Sequence, residues 1–246
     1  SAAAELLCGV GSPSGKLSDT FAKKLEDYPS SETFHESVKY VDYKEDIYVG
    51  YRYFETIPGA DKAVNYPFGY GLSYTTFERA LVSAEEKQGV IRVRVNVTNT
   101  GKYPGKEVMQ LYAQAPQGVL GKAKRVLAAF EKTRLLAQGE TQLLTLEAPV
   151  AQLASYDDLG KIQKSAYVLE KGKYQFYLGT SVRETEQVFC FTMPEDTVTE
   201  QLTAKLVPTS LAERMLSDGS FEKLPQSEPN DPDYSAIKRV PREESD

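Results

Sequence analysis

The chain has 246 residues, of which 41% are hydrophobic and 26% charged, a composition that suits a soluble globular protein of one or two domains. Its formal net charge of −6 argues against a nucleic-acid partner, because neutralising phosphates takes clustered Lys and Arg. No apolar run reaches the roughly 18 residues that a membrane span needs, so no membrane partner is expected either.

The N-terminus, Ser1 to Leu7, lacks the basic n-region and apolar stretch of a signal peptide. Ala2 to Leu7 reads instead as the last turns of a helix, stopped by Gly9, Gly11 and Pro13. Ser12-Pro13-Ser14-Gly15 and Tyr28-Pro29-Ser30-Ser31 read as turns, since Pro fixes φ and Gly accepts positive φ. Asp46 to Phe54 is rich in aromatic and β-branched residues and is expected to be a strand. One strand with few partners does not fold alone. Residues 1–76 are therefore expected to pack on something outside the chain or on the segment that follows.

From Phe77 onward the pattern changes to short alternating runs separated by turn residues. Val90 to Thr98 places Ile91, Val93, Val95 and Val97 on one face and Arg92, Arg94, Asn96 and Thr98 on the other. Val108–Ala113, Val126–Phe130, Thr141–Leu146, Tyr174–Leu178 and Gln187–Met193 follow as further strands. Runs of this length and spacing predict a mainly β fold, an immunoglobulin- or fibronectin III-like sandwich over residues 77–195. Residues 196–246 turn polar and proline-rich. Ser210 to Leu216, with Ser210 as N-cap and Gly219 beyond the end, reads as a short helix followed by an extended connector.

The inventory leaves little for hydrolytic chemistry within the chain. The single histidine, His35, sits between Ser- and Glu-rich stretches and reads as a surface residue. Gly9 to Lys16 superficially resembles a phosphate loop, but Val10 stands where the first glycine belongs and Leu17 follows the lysine. Asp42, Glu45, Asp46 and Glu55 could supply a carboxylate pair, yet their spacing shows none and they read as a solvated face. Asn96-Val97-Thr98 is a chance-level glycosylation sequon. The two cysteines, Cys8 and Cys190, are too far apart in sequence to suggest a disulfide framework or zinc site, and both are expected to be buried packing residues. Unpaired thiols favour a reducing, cytoplasmic setting. Tyr40, Tyr43, Tyr48, Tyr51, Tyr53, Phe54, Tyr66, Phe68, Tyr70, Tyr74 and Phe77 crowd together, as an aromatic core between domains or, less favoured, a sugar-stacking surface.

Several segments resemble one family. Ser12 to Phe21 resembles an "nPSGKLpvTfP" element, and Tyr43 to Phe54 resembles a "Y-x-E-G-I-y-V-G-Y-R-y-F" stretch. Tyr66 to Phe77 is similar to "FPFGyGLSYTtF", and Val97 to Gly101 with Val108 to Tyr112 to "VtNTG…G-x-EvvQLY". Phe130-Glu131-Lys132 and Ala137 to Thr141 resemble its "F-x-k…pGE-t" stretch. These motifs run in order across residues 5–195 and identify glycoside hydrolase family 3, whose β-glucosidases join a barrel, an α/β sandwich domain and a fibronectin type III-like domain.

The resemblance implies that residues 1–76 are the end of the α/β sandwich domain plus a linker and 77–195 the fibronectin-like domain. It places the catalytic Asp and Glu outside this chain, so no catalytic, substrate-binding or metal-ligating residue is assigned and no cofactor is expected. The implied partners are the remaining domains of the parent enzyme and a β-glucoside or oligosaccharide. A stand-alone carbohydrate- or surface-binding module is the alternative, and it requires an exposed, coplanar strip drawn from Tyr112, Tyr156, Tyr167, Tyr174 and Tyr177. Continuation of the chain past residue 195 resembles family members in which the barrel follows this module.

Overall fold

The structure, a computed structural model, describes residues 2–205, 207–208 and 210–226. Two antiparallel sheets face each other. One holds β3 (Phe77–Lys87), β4 (Val90–Asn99) and β7 (Thr141–Pro149), in the order β3-β4-β7. The other holds β5 (Val108–Gln114), β6 (Val126–Lys132), β10 (Gly172–Gly179) and β11 (Thr185–Met193), in the order β11-β10-β5-β6. A third sheet, β12-β9-β8, is built from β8 (Ser155–Asp157), β9 (Ala166–Leu169) and β12 (Thr197–Gln201).

The period-two pattern sets the core. Ile91, Val93, Val95 and Val97 have no solvent exposure, and Leu144 and Leu146 stand beside Val95 and Val93 on the same face. Met109, Leu111, Phe176 and Leu178 close the core from the opposite sheet. Each such side chain contributes about 1.5–3 kcal/mol on burial. The β3–β4 hairpin turns through Gln88 and Gly89, both at positive φ, as a two-residue type I′ turn requires. Strand β3 was not among the predicted strands. It pairs only with β4 and is mostly exposed, so its alternation is diluted by the charges that protect an edge.

Before the sandwich, α1 (Ala2–Leu7) matches the predicted helical turns. A small ladder joins β1 (Phe21–Ala22) to β2 (Val64–Tyr66). The strand predicted over Asp46–Phe54 does not form. The chain turns at Asp46 and Gly50, both at positive φ, and enters the one-turn helix α2 (Tyr51–Phe54). Among the described residues no strand pairs with this segment, and the turn sends Tyr51 and Phe54 into separate aromatic contacts.

The helix predicted at Ser210–Leu216 is also replaced. Strand β13 (Glu213–Met215) pairs with β14 (Phe221–Lys223), and Gly219, at φ 85°, serves the hairpin turn instead of ending a helix. So short a segment gains little from helix formation alone, and cross-strand pairing of Arg214 with Glu222 wins. The connector predicted beyond Glu222 lies mostly outside the described residues.

Both cysteines are exposed, contrary to expectation. On β11, Phe189 and Phe191 pack against the core, so Cys190 between them faces outward. Cys8 follows α1 in an apolar run that the chain leaves uncovered, with Leu7 and Val10 exposed beside it. No helix among the described residues is long and apolar enough to cross a membrane.

Asn99 ties the end of β4 to three other segments. Its side chain is fully buried, accepts from Thr75 Oγ1 at 2.7 Å, and donates to the carbonyls of Tyr103 and Leu136 at 2.8 Å each. Asn99→Ala leaves these buried groups unpaired and is expected to lower unfolding free energy by about 3 kcal/mol, measured by urea denaturation.

Candidate functional site

The aromatic segment divides into a packed part and an open part. Tyr51 stacks on Phe68 with ring centroids 4.4 Å apart, and both stand edge-on to Tyr112 of β5, at 6.4 and 6.5 Å. Polar ends hold this trio in place. The Tyr51 hydroxyl accepts the Leu127 amide at 3.0 Å, and the Val182 amide donates to the Phe68 carbonyl at 3.1 Å. Tyr112 donates to Gln110 Oε1, and Gln110 Nε2 donates to the carbonyls of Gly69 and Thr180. Burial pushes the Tyr112 phenol far above its ordinary range, so it remains a donor. Gly69, at φ 80°, lies so close to Gln110 that a Cβ has no room. Residues 51–70 are thereby fastened to the β5–β6 sheet by rings and hydrogen bonds together.

A second aromatic group lies further from the sandwich. Phe54 is fully buried and meets Tyr28 edge-on at 5.4 Å, while the Tyr28 hydroxyl donates to the Thr20 carbonyl at 2.8 Å. Tyr48 is buried as well. Tyr40, Tyr43, Tyr66 and Tyr74 are exposed, as are Leu25 and Val38. The packed rings are interior, while the open ones are exposed on residues before the sandwich.

The four carboxylates weighed from sequence form no catalytic pair. Glu55 binds Arg183 at 2.8 Å, and Asp46 lies 3.7 Å from Arg214. Burial raises the Asp46 carboxyl above its ordinary value, with Arg214 opposing and Asp158 and Glu222 adding to the rise. Glu45 is buried and Asp42 half-buried. His35 is exposed and touches Phe34 edge-on. No group of three or more His, Cys, Asp or Glu among the described residues could hold a metal.

A groove of about 670 Å³ runs between the segment from Asp46 to Arg52, β8 and β13, with Arg52, Tyr156, Asp158, Tyr167 and Arg214 in its walls. Tyr156 and Tyr167 are neighbours at 5.4 Å but tilted by 52°, so they present no flat platform to a sugar. Tyr112 and Tyr174 are buried and Tyr177 lies under Arg125 at 4.2 Å, so the coplanar strip required of a carbohydrate-binding module is missing from these residues.

Polar groups around the groove are turned to structure. Lys122 is buried, bonds Ser155 and lies 3.3 Å from Glu170; burial lowers its ammonium pKa while Glu170 opposes. Glu170 also accepts the Val119 amide at 2.7 Å. Asp157 accepts amides from Gly160, Lys161, Ile162 and Gln163 at 2.7–3.0 Å, a nest that no sequence signal marked. Burial alone would raise its carboxyl, but these four bonds outweigh it and hold the pKa below the ordinary value.

The fibronectin type III-like domain family matches residues 107–182. β-Glucosidase A of Butyrivibrio fibrisolvens is 57% identical over 257 residues, covering 98% of this chain and 31% of the relative. The crystal structure of a β-glucosidase from Paenibacillus barengoltzii superposes with a TM-score of 0.87 at 46% identity, covering 92% of this chain and 26% of that one. A GH3 β-glucosidase from Bifidobacterium adolescentis gives 0.71 at 31% identity, covering 85% and 30%. The chain thus spans less than a third of the length of these relatives and matches one segment of each.

Two outcomes are expected. Phe68→Ala removes the ring stacked on Tyr51 and should cost about 2–3 kcal/mol, seen as a lower melting temperature, and Tyr70→Ala should act in the same direction. Asp157→Asn should destabilise at neutral pH. A lowered folded pKa supplies stability above the ordinary carboxylate value of about 4 and loses it as pH falls through the folded value, so the gap between wild type and variant should narrow as pH falls below the ordinary carboxylate range in acid unfolding curves.

Proposed function

We propose that this chain, a segment of family 3 glycoside hydrolase type that carries a fibronectin type III-like domain, is a non-catalytic part of a β-glucosidase and serves to hold that enzyme's domains together. The observation that carries this reading is the coverage: nearly the whole chain aligns with under a third of a β-glucosidase. The parent would hydrolyse terminal β-D-glucosyl residues with retention, using one carboxylate as nucleophile and another as acid and base. Both carboxylates would lie in the part of the parent that this chain does not cover.

The role of each region follows from its surface. Residues 1–76 would complete the α/β sandwich domain, which would cover the exposed rings of Tyr40 and Tyr43 and the exposed Leu7, Val10 and Val38. Residues 77–195 would be the fibronectin-like domain, joined to the first region through Tyr51, Phe68 and Tyr112. Residues 196–246, with a hairpin in place of the predicted helix, would connect onward to the barrel.

Assay of the 246-residue chain beside the full-length parent on p-nitrophenyl β-D-glucoside tests the reading. Turnover by the parent alone is expected. Turnover by the isolated chain would overturn it and return attention to Asp42, Glu45, Asp46 and Glu55. Millimolar-range binding of cello-oligosaccharide by the chain, followed by calorimetry, would favour a binding module instead.

A further inference from the structure

The β13–β14 hairpin lies outside the residues that match the fibronectin family and returns the chain to the linker that precedes the sandwich. Its backbone reaches the linker directly: the Met215 amide donates to the Lys44 carbonyl at 2.7 Å. Gly219, in the hairpin turn, comes so close to Ile57 that a Cβ would stand 3.2 Å from the Ile57 side chain.

Charges reinforce these contacts. The Arg214 guanidinium meets Glu222 of its own hairpin at 2.8 Å, Asp158 beyond β8 at 3.0 Å and Asp46 of the linker at 3.7 Å. Lys161 binds Glu222 at 3.0 Å from the other side, and Lys44 lies 3.5 Å from Glu213. The Arg214 side chain is only 14% exposed, so solvent screens these pairs less than pairs on an open surface.

We propose that the hairpin is a charge-latched strap, in which Arg214 pins the linker turn around Asp46 to the loop after β8. One guanidinium holds three carboxylates from segments far apart in sequence, and its planar fork suits that task. Without it, Asp46, Asp158 and Glu222 face one another and, among the described residues, only Lys161 is left on Glu222. Loss of the guanidinium therefore replaces attraction by repulsion among the three, and the strap lifts from the linker. Further along, the same segment is held to the sandwich by the aromatic joint at Tyr51, by Glu55 on Arg183 and by Thr56, which accepts the Lys124 amide; the latch holds the turn that precedes them. The strap also forms one wall of the groove that contains Tyr156 and Tyr167, so its lifting would open that groove.

Amide hydrogen exchange on the full chain tests the proposal. In Arg214→Gln, amides of residues 44–57 and 213–223 should exchange about tenfold faster or more, while those of β4 keep wild-type protection. Lys161→Met should loosen the hairpin alone and leave the linker protected. Wild-type exchange of residues 44–57 in Arg214→Gln would overturn the proposal. If Arg214→Gln also loses protection in β4, Arg214→Lys decides. That variant keeps the charge without the fork; intermediate linker exchange with a protected β4 supports the latch, and wild-type linker exchange sinks it.

Discussion

The stack of Tyr51 on Phe68 against Tyr112 is the contact on which the arrangement of the chain depends. The sandwich is complete without it, because its core draws on β-strands that face each other over fully buried aliphatic side chains. Residues before the sandwich have no comparable core. Their order rests on a few large rings, each burying much area, and on the hydrogen bonds that fix the orientation of those rings. Gln110 is central to this, since one side chain accepts from Tyr112 and donates to two carbonyls from different segments. A buried amide with its partners in place resists sliding in a way that apolar contact alone does not.

The same economy explains the exposed apolar surface. A chain of this size buries its sheets well, yet Leu7, Val10, Val38, Tyr40 and Tyr43 stay in solvent. These five precede the sandwich, and the sandwich exposes others of its own, such as Leu81, Val119 and Phe130. The chain spans less than a third of the length of related β-glucosidases. Charged groups follow a parallel logic. Asp46, Glu55 and Asp157 are engaged by Arg214, Arg183 and a nest of amides.

What the sequence determined by itself was the sandwich and the kinship. Alternation in Val90 to Thr98 fixed which side chains face inward, because a strand has a period of two and only one face here meets the opposite sheet. Ordered motifs from Ser12 to Thr141 carried the likeness to β-glucosidases, since they are local strings that need no three-dimensional context. Only the tertiary structure decided the rest. Asp46–Phe54 has strand composition but no strand beside it, and Ser210–Leu216 has helix signals but gains more from pairing Arg214 with Glu222. Cys190 sits in an apolar string yet points outward, and Asp157 finds its four amides only once its loop has closed. For Asp46–Phe54 and Cys190 the deciding partners are distant in sequence, so the energy that chooses the conformation is absent from any short window of residues; Asp157 and Arg214 find partners three to eight residues away, but only in a loop and a hairpin whose geometry local propensity does not encode.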